Sequence, residues 1–453
     1  MDIFMLEQPY MAKILIFLTH HKLLVATAIF AALLYLHRIS KRVYLIDFMC
    51  YRAPHSLRVP TSSFIEHVAR LEKFDGEAAK FLTKVIERSG LGSETCLPNG
   101  SHLFPEGQTL NYTMEEVKMV LFSIVQNLLS KQKINPKSID ILITNCSLIC
   151  PSPSLSSMII NKFGFRSNIK SYSLSGMGCS AGILSISLAR DLLKVHKNSL
   201  VLILSTESVC SNIYKGKNKS MLLANCLFRM GGAAVLLSNR RKDRDKAKYE
   251  LKHLVRTHHG FKDSSYNCVM QEPDDEDITG VTLSRSIIQV AGEALKTNVT
   301  TLAVSTFPYS ELMRFGLSVL WKKIWPPARK RGPYQLDFKK AFDHFCIHAA
   351  GKAVIQGIKE KLNLKDRDVE ASKMTLHRFG NTSSSSIWYS LGYLEAKGRV
   401  KRGQRVWQIA FGSGFKCNSA VWKCISKLKL KDSNAWSDCI HKYPVEVPAV
   451  VDH

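Results

Sequence analysis

The sequence predicts a layered α/β fold, and three observations support this prediction. Short aliphatic runs such as residues 199–205 lack the polar alternation of a half-exposed strand, as is typical of strands buried on both faces. Amphipathic helical patterns alternate with these runs along the chain. With 45% hydrophobic residues in 453 positions, the chain has enough apolar side chains for a large packed core, which excludes wholesale disorder.

The N-terminal part of the chain alternates predicted helices and strands. Residues 64–88 carry apolar side chains at helical spacing, and residues 114–131 form a second amphipathic helix. Short β-rich runs predict strands at residues 139–144, 199–205 and 233–237.

A charged run at residues 240–248 has no apolar periodicity, so we interpret it as a solvated loop. It is also the candidate for the seam between two halves of the chain. A helix is predicted at residues 287–296 beyond it. The remaining elements are predicted as a basic, proline-containing loop at 321–333, helices at 338–364 and 382–397, and a strand at 405–411.

The N-terminus contains an apolar segment at residues 11–36, of which residues 23–36 carry no charge. The length suits one membrane span or a short hairpin. The basic cluster at residues 37–42 is a poor signal-peptide cleavage region and is typical of a cytoplasmic flank. We therefore expect residues 1–42 to be a retained membrane anchor rather than a signal peptide or a core helix, with the rest of the chain facing the cytosol.

The charge and the cysteines narrow the class of protein. Sixty-three Lys and Arg against 37 Asp and Glu give a net charge of +26, which favours an anionic partner such as a membrane surface, a phosphorylated small molecule or a nucleic acid. No nucleic-acid-binding motif accompanies the charge. The 12 cysteines include no CxxC pair, which argues against a metal site of the usual spacing and for buried thiols in a reducing compartment.

The most informative stretch is residues 171–195, in which a β-like run leads through a glycine turn to Cys179 and then to a helix rich in small residues. A cysteine at a helix N-terminus is expected to have a lowered pKa, and the free amides there can hold an oxyanion. The alternative is a buried structural cysteine in a glycine-rich turn.

Two further segments carry candidate partners for a nucleophile. His348 lies between an apolar run and small residues, and Asn381 follows a glycine and precedes a run of Ser and Thr. The residue types leave open a satisfied core histidine at the first position and a helix N-cap at the second.

Three motifs carry a resemblance to a known family: GMGCSA at residues 176–181, IHAAG at 347–351 and HRFGNTS at 377–383. Together they resemble the plant 3-ketoacyl-CoA synthases, the condensing enzymes of very-long-chain fatty acid elongation. Further segments match from about residue 43 to residue 425, and they lie at 43–51, 225–234, 291–298 and 411–422.

The resemblance implies an α/β, thiolase-like five-layered αβαβα fold of two related halves. The N-terminal half, residues 43–245, would carry the nucleophile. The C-terminal half, residues 246–430, would carry the histidine and asparagine, and residues 431–453 would form a tail.

The resemblance also implies roles for individual residues. Cys179 would accept the acyl group, and His348 and Asn381 would promote decarboxylation and hold the resulting enolate. His258, His344 and His377 are expected to be supporting positions, and Gly412 and Gly414 to form a turn beside the cysteine. The substrates would be acyl-CoA and malonyl-CoA, with no metal or redox cofactor. At residue 350 this chain has Ala where the family pattern has Gly.

The expected setting follows from the same resemblance. It implies an endoplasmic reticulum membrane location, contact with membrane lipid, a homodimer, and partnership with the ketoreductase, dehydratase and enoyl reductase of an elongase complex, without nucleic acid. Two alternatives remain: a catalytically silent elongase-complex scaffold, and a type III polyketide synthase-like condensing enzyme.

Overall fold

A computed structural model describes residues 42–70, 76–102, 109–324, 334–429 and 434–447. The predicted anchor therefore lies outside the described residues, apart from Arg42. In these ranges, none of the helices combines the length and the hydropathy that crossing a bilayer requires.

The chain first alternates strands and helices through an N-terminal set of elements. In order they are β1 (Tyr44–Cys50), α1 (Thr61–Arg70), α2 (Gly76–Arg88), α3 (Leu110–Gln132), β2 (Ile141–Asn145), α4 (Leu155–Phe163), β3 (Lys170–Leu174), α5 (Ala181–Val195), β4 (Leu200–Thr206), α6 (Lys219–Leu227) and β5 (Gly232–Ser238). The strands predicted at residues 139–144, 199–205 and 233–237 are thus confirmed as β2, β4 and β5.

A second set of elements follows the charged run at residues 240–248. In order they are β6 (Tyr249–His258), α7 (Asp263–Tyr266), β7 (Val269–Pro273), β8 (Thr279–Leu283), α8 (Ile287–Thr306), α9 (Tyr309–Ile324), β9 (His344–Ile347), α10 (Lys352–Lys361), α11 (Asp366–Phe379), α12 (Ser386–Ala396), β10 (Arg405–Gly412) and β11 (Lys416–Cys424).

The main sheet runs through nine strands in the order β3-β2-β4-β5-β1-β6-β11-β10-β9. β2 pairs in parallel with β3 and β4, and β9 pairs in parallel with β10, whereas the pairs between them are antiparallel. The two ends of the sheet are joined at β1 and β6 through the register pairs Tyr44↔Glu250 and Leu45↔Tyr249 alone. β7 and β8 form a separate hairpin.

Alternation along β4 assigns its two faces to different cores. Val201 and Ile203 pack in a central core with residues of α5 and α12. Leu202 and Leu204 point the other way, into an outer core with residues of α3. Since successive side chains of a strand point to opposite faces, this end of the sheet is covered by helices on both sides.

The other end of the sheet repeats this arrangement. Val406 and Ala410 of β10 join the central core, while Trp407 and Ile409 join a second outer core with residues of α8 and α10. The two ends of the nine-stranded sheet thus form two sheet layers with the central helices between them. The order of layers is helix, sheet, helix, sheet and helix. The predicted layered α/β fold with strands buried on both faces is confirmed.

Two secondary-structure predictions were wrong. The helix predicted over residues 338–364 contains strand β9, and α10 begins only at Lys352. A short apolar run such as Phe345–Ile347 has no periodicity that separates a buried strand from a helix, and its pairing with β10 decides. The loop predicted at 321–333 begins within α9, which extends to Ile324, and residues 325–333 lie outside the described ranges.

A buried ion network joins the two ends of the sheet. The Lys248 Nζ lies 2.8 Å from Asp47 Oδ1 of β1 and 2.9 Å from Glu395 Oε2 of α12. Lys131 Nζ of α3 also contacts Asp47 Oδ2, at 2.8 Å. Burial opposes ionisation of Asp47, but Lys248 and Lys131 hold the pKa of that carboxyl below its usual value. Lys248 thus neutralises carboxylates from two different layers.

We expect Lys248→Met to lower the free energy of unfolding by about 3–5 kcal/mol at neutral pH, because it leaves Asp47 and Glu395 buried without this shared cation. Denaturant unfolding measures the change. The deficit should shrink as the pH falls through the carboxyl range, since protonated carboxyls need no counter-charge.

The matched control is Lys252→Met, which removes a partly exposed partner of Glu250 at 2.7 Å and should cost at most about 1 kcal/mol. Equal losses in the two variants would contradict a joining role for Lys248.

Candidate active site

The turn that carries Cys179 is shaped by glycine. β3 ends at Leu174, a 3-10 turn covers Gly178–Ser180, and α5 begins at Ala181. Gly178 has φ +67°, and a Cβ there would lie 2.4 Å from the backbone nitrogen of Ser413. The turn at residues 412–414 therefore lies directly against the cysteine turn, as the sequence predicted, and only glycine fits both the conformation and the space.

Cys179 lines a cavity, here called the cysteine cavity. Its lining includes Gly176, Cys179, Glu207, His258, Ser383 and Lys416. Ser383 lines the same cavity and is close enough to the thiol to act on its pKa.

The expected lowering of the Cys179 pKa was wrong. Burial raises the pKa of the thiol to about 12; the Ser383 hydroxyl opposes this shift, while the charge of Glu207 adds to it. Desolvation of the thiolate thus outweighs the helix start. His348 gives no compensating positive charge, because burial lowers the pKa of its imidazole to about 3.

His348 follows β9 and is held from two sides. Its backbone N–H donates to the carbonyl of Ile409 at 2.8 Å. Its Nδ1 lies 2.5 Å from the hydroxyl oxygen of Ser386, which also accepts from the Ala349 N–H at 3.3 Å. The buried Nε2 has no hydrogen-bond partner among the residues that the structure describes. Nε2 is therefore the ring atom left for a substrate or a proton.

Asn381 is fixed through its backbone between the last residue of α6 and a residue just beyond it. Its N–H donates to Leu227 O at 3.0 Å, and its carbonyl accepts from Arg229 N at 3.0 Å. The side-chain Oδ1 accepts from Ser383 N at 2.9 Å, and Nδ2 donates to Ala350 O at a long 3.3 Å. The capping alternative is thus partly realised by Oδ1, while Nδ2 keeps donor capacity.

Residues 381–386, here called the serine-rich segment, connect the three predicted catalytic residues. Asn381 is its first residue, Ser383 lines the cysteine cavity together with Cys179, and Ser386 bonds with His348. Three motifs far apart in the sequence therefore share one short stretch of backbone. His348 and Asn381 themselves are not among the lining residues of the cysteine cavity.

Sequence reasoning missed Glu207, which follows the last residue of β4. Its buried carboxylate accepts from Leu148 N at 2.9 Å, Ser147 N at 3.0 Å, and both Cys146 Sγ and Ser383 Oγ at 3.1 Å. Burial raises its pKa. The available signal was a charged residue directly after a continuous apolar strand.

The three predicted supporting histidines have different positions. His258 ends β6 and lines the cysteine cavity, and its Nδ1 accepts from Gly260 N at 3.0 Å. His344 lies at the far end of β9 from His348, where its Nε2 contacts Gln404 Oε1 at 3.0 Å. His377 packs against Tyr443, with ring centroids 6.0 Å apart. His344 and His377 are not among the lining residues of the cysteine cavity.

A second cavity, here called the apolar cavity, adjoins the cysteine cavity. Its lining includes Phe64, Leu82, Leu97, Val209, Ile213 and Ala224. The two cavities share Leu148, Glu207, Phe228 and Val281 as wall residues. An apolar compartment thus lies beside the one that holds the thiol. The described part of the chain contains no cluster of His, Cys, Asp or Glu suited to a metal ion.

Solved structures with the same fold define the class. The C-terminal type III polyketide synthase domain of Steely1 from Dictyostelium covers 85% of this chain and all of that domain, with a TM-score of 0.68 and 16% identity. The tetrahydroxynaphthalene synthase of Streptomyces coelicolor covers 84% of this chain and 99% of its own, with a TM-score of 0.64 and 18% identity. The fold is that of the type III polyketide synthases and other thiolase-like condensing enzymes.

Sequence comparison identifies the family within this class. The FAE1/type III polyketide synthase-like model matches residues 35–324, and the C-terminal model of 3-oxoacyl-[acyl-carrier-protein] synthase III matches residues 339–424. Two Arabidopsis thaliana relatives are 3-ketoacyl-CoA synthase 5, 55% identical over 93% of this chain and 86% of its own, and 3-ketoacyl-CoA synthase 7, 54% identical over 95% and 93%. The chain belongs to the plant 3-ketoacyl-CoA synthase family.

The raised pKa of Cys179 predicts its reactivity in the absence of substrate. We expect alkylation by iodoacetamide to rise about tenfold per pH unit between neutral pH and about pH 9, without a plateau, because only the thiolate reacts. Peptide mass spectrometry measures the rate at Cys179, with exposed Cys150 as the internal reference for reagent access. A plateau near neutral pH would instead indicate a thiolate paired with a protonated His348.

The contact between Ser386 and His348 predicts a positioning role for Ser386. We expect Ser386→Ala to lower the condensation rate about 10- to 100-fold, because it removes the Nδ1 partner that orients the ring. Ser386→Thr keeps the hydroxyl and should recover most of the rate. Alkylation of Cys179 by iodoacetamide, followed by mass spectrometry, reports whether the surroundings of the thiol are intact, since this reaction needs no proton transfer by His348. Equal activity of the Ala variant and the wild type would contradict this role.

Proposed function

We propose that this protein catalyses the decarboxylative Claisen condensation of malonyl-CoA with a long-chain acyl-CoA. The products are a 3-ketoacyl-CoA two carbons longer, CO2 and CoA, in the first step of very-long-chain fatty acid elongation. Membership of the 3-ketoacyl-CoA synthase family supports the reaction class. The observation that carries the assignment of residues is the serine-rich segment, which joins Cys179, His348 and Asn381.

In the first half-reaction, the Cys179 sulfur attacks the acyl-CoA thioester. The proton leaves the thiol and ends on the departing CoA sulfur, so the site returns to its neutral state. We assign His348 Nε2 as the atom that carries this proton, since it is the partnerless nitrogen of a neutral ring. The helix start at α5 places backbone amides where the thioester oxygen becomes negative.

In the second half-reaction, malonyl-CoA loses its carboxylate as CO2, and the electron pair of that bond forms an enolate. The enolate oxygen needs donors, which Asn381 Nδ2 and the Nε2–H tautomer of the neutral His348 ring supply. Between the two half-reactions the ring loses its Nδ1 proton and takes one at Nε2, by exchange with solvent. Ser386 supports both ring states, because its hydroxyl can donate to Nδ1 or accept from it. The enolate carbon attacks the acyl thioester, and Cys179 leaves as a thiolate that takes a proton from solvent.

The apolar cavity is the proposed compartment for the acyl chain. It shares a wall with the cysteine cavity, and side chains such as Phe64, Leu82 and Leu97 line it. Burial of each methylene of an acyl chain there is worth about 0.8 kcal/mol, so a long chain gains substantial binding free energy. The length that fits is set by these side chains and not by the catalytic residues.

The proposed setting is the cytosolic face of the endoplasmic reticulum membrane. Residues 1–42 would anchor the chain, and residues 43–245 and 246–430 would form the two related halves, followed by a tail at 431–453. A homodimer and contact with the other elongase enzymes complete the proposal. The apolar segment at residues 11–36 and the basic flank at 37–42 support the anchor.

The test is elongation by membranes that contain the full-length protein. Wild type and Cys150→Ala should both convert labelled malonyl-CoA and acyl-CoAs of increasing length to 3-ketoacyl products, detected by mass spectrometry. Cys179→Ala should lose at least about 1,000-fold, because the reaction loses its nucleophile. Cys150 is exposed and does not line either cavity, so its replacement controls for cysteine loss.

Other outcomes would select the alternatives. Absence of product from folded, membrane-bound wild type with every acyl-CoA would favour a silent scaffold. Products extended by several malonyl units without intervening reduction would favour a polyketide synthase activity.

A further inference from the structure

Helix α9 contacts the rest of the protein through buried Glu311, through Ser318 and through the partly buried Leu312. Glu311, only 1% exposed, accepts from the Tyr334 hydroxyl at 2.8 Å and forms ion pairs with Lys340 and Arg314. About two turns further on, the Ser318 hydroxyl oxygen accepts from Tyr334 N at 2.9 Å. These contacts fix which side of the helix faces the protein.

The opposite side of α9 is an exposed apolar stripe. Its members recur at helical spacing and share one side of the helix, within an arc of about 120° at 100° per residue. With their exposed fractions they are Tyr309 (84%), Met313 (65%), Leu317 (64%), Leu320 (51%), Trp321 (61%) and Ile324 (65%).

An ordinary surface helix buries its apolar stripe, whereas α9 exposes these six residues and, outside the stripe, also Phe315 (39%) and Val319 (47%). Leaving six large apolar side chains in water forfeits their burial free energy, and a patch of this kind marks an interaction surface. Tyr and Trp in the stripe are residues that favour the boundary between water and hydrocarbon.

The charge around the stripe is strongly basic. From residue 309 to residue 333 the sequence contains the basic residues Arg314, Lys322, Lys323, Arg329, Lys330 and Arg331. The same stretch has a single acidic residue, Glu311, which is buried against the protein. Within the described helix, Arg314 and Lys323 flank the stripe at helical spacing, and α9 has no exposed carboxylate of its own to repel an anionic partner.

We propose that α9 lies in the plane of an anionic bilayer surface, with its apolar stripe among the upper acyl chains and its basic residues at the lipid headgroups. This is a membrane contact in the C-terminal part of the chain, additional to the anchor proposed for residues 1–42. Apolar burial and attraction to anionic lipid act together in such helices.

The charge pattern argues against two other occupants. A symmetric contact with α9 of a second copy would place like charges against each other. Residues 1–41 carry two acidic residues, Asp2 and Glu7, both before the apolar segment at 11–36, against Lys13, Lys22, Arg38 and Lys41, and so offer little charge complement.

The experiment uses the full-length protein in vesicles of phosphatidylcholine and phosphatidylserine that contain a phosphatidylcholine with a diazirine in its acyl chain. After irradiation, mass spectrometry maps lipid adducts along the chain. We expect adducts on residues 309–324 and a fall of about tenfold at this segment in Leu317→Gln/Leu320→Gln, because the polar side chains withdraw the stripe from hydrocarbon. Labelling of residues 11–36 gives the internal reference, and the readout requires no turnover.

The matched control is Val195→Gln, an exposed apolar position (74%) at the end of α5, which should leave the adducts on α9 unchanged. All three substituted positions are exposed, so near-wild-type thermal unfolding is expected of both variants and is checked first. Vesicles of phosphatidylcholine alone should give weaker labelling of α9.

Four results would overturn the proposal. One is labelling of residues 11–36 without labelling of α9. Another is crosslinking of photo-leucine in α9 to residues 1–41, and the third is crosslinking to a second copy of the chain in place of lipid. An unchanged adduct yield in the double variant would equally count against it.

Discussion

A run of buried polar side chains lies between the two ends of the sheet. Each of them needs a hydrogen-bond partner, and this requirement constrains both the fold and the site. Residues 382–386 are at most 2% exposed and consist entirely of Thr and Ser. Ser384 donates to Asn145 of β2 at 2.6 Å, Ser383 donates to Glu207 at 3.1 Å, and Ser386 contacts His348 at 2.5 Å. An unpaired hydroxyl at this depth is costly, so these partners must be in place whenever the protein is folded.

Because of this constraint, the packing between the two ends of the sheet and the geometry of the site depend on the same hydrogen bonds. Asn145 also donates to Ser185 of α5 and Ser205 of β4, at 2.9 Å and 2.8 Å. The serine-rich segment is thus held through Asn145 by a network of polar side chains from the strands β2 and β4 and the helix α5. A shift of the central helices would therefore break hydrogen bonds that hold the serine-rich segment beside Cys179 and His348.

The same burial sets the protonation states of Cys179 and His348. Desolvation raises the pKa of Cys179 and lowers that of His348, so the site holds a neutral thiol and a neutral ring. Decarboxylation creates the carbanion without a strong base, and a dry site strengthens the hydrogen bonds that hold the enolate. Burial that disfavours a preformed thiolate is therefore compatible with a condensation that needs directed donors.

At the outer surface, α9 exposes apolar side chains instead. Its polar residues Glu311 and Ser318 already have partners in Lys340 and Tyr334.

The sequence by itself determined the α/β class, the strands β2, β4 and β5, the helix α3, and the glycine turn before Cys179, because these depend on local periodicity and on backbone conformations that few residues adopt. It also named Cys179, His348 and Asn381 through motifs. It did not determine that β9 is a strand, that Glu207 contacts the site, or that the Cys179 pKa is raised. Those depend on strand pairing and on desolvation by residues distant in the chain, and only the tertiary structure decides which groups are brought out of water together.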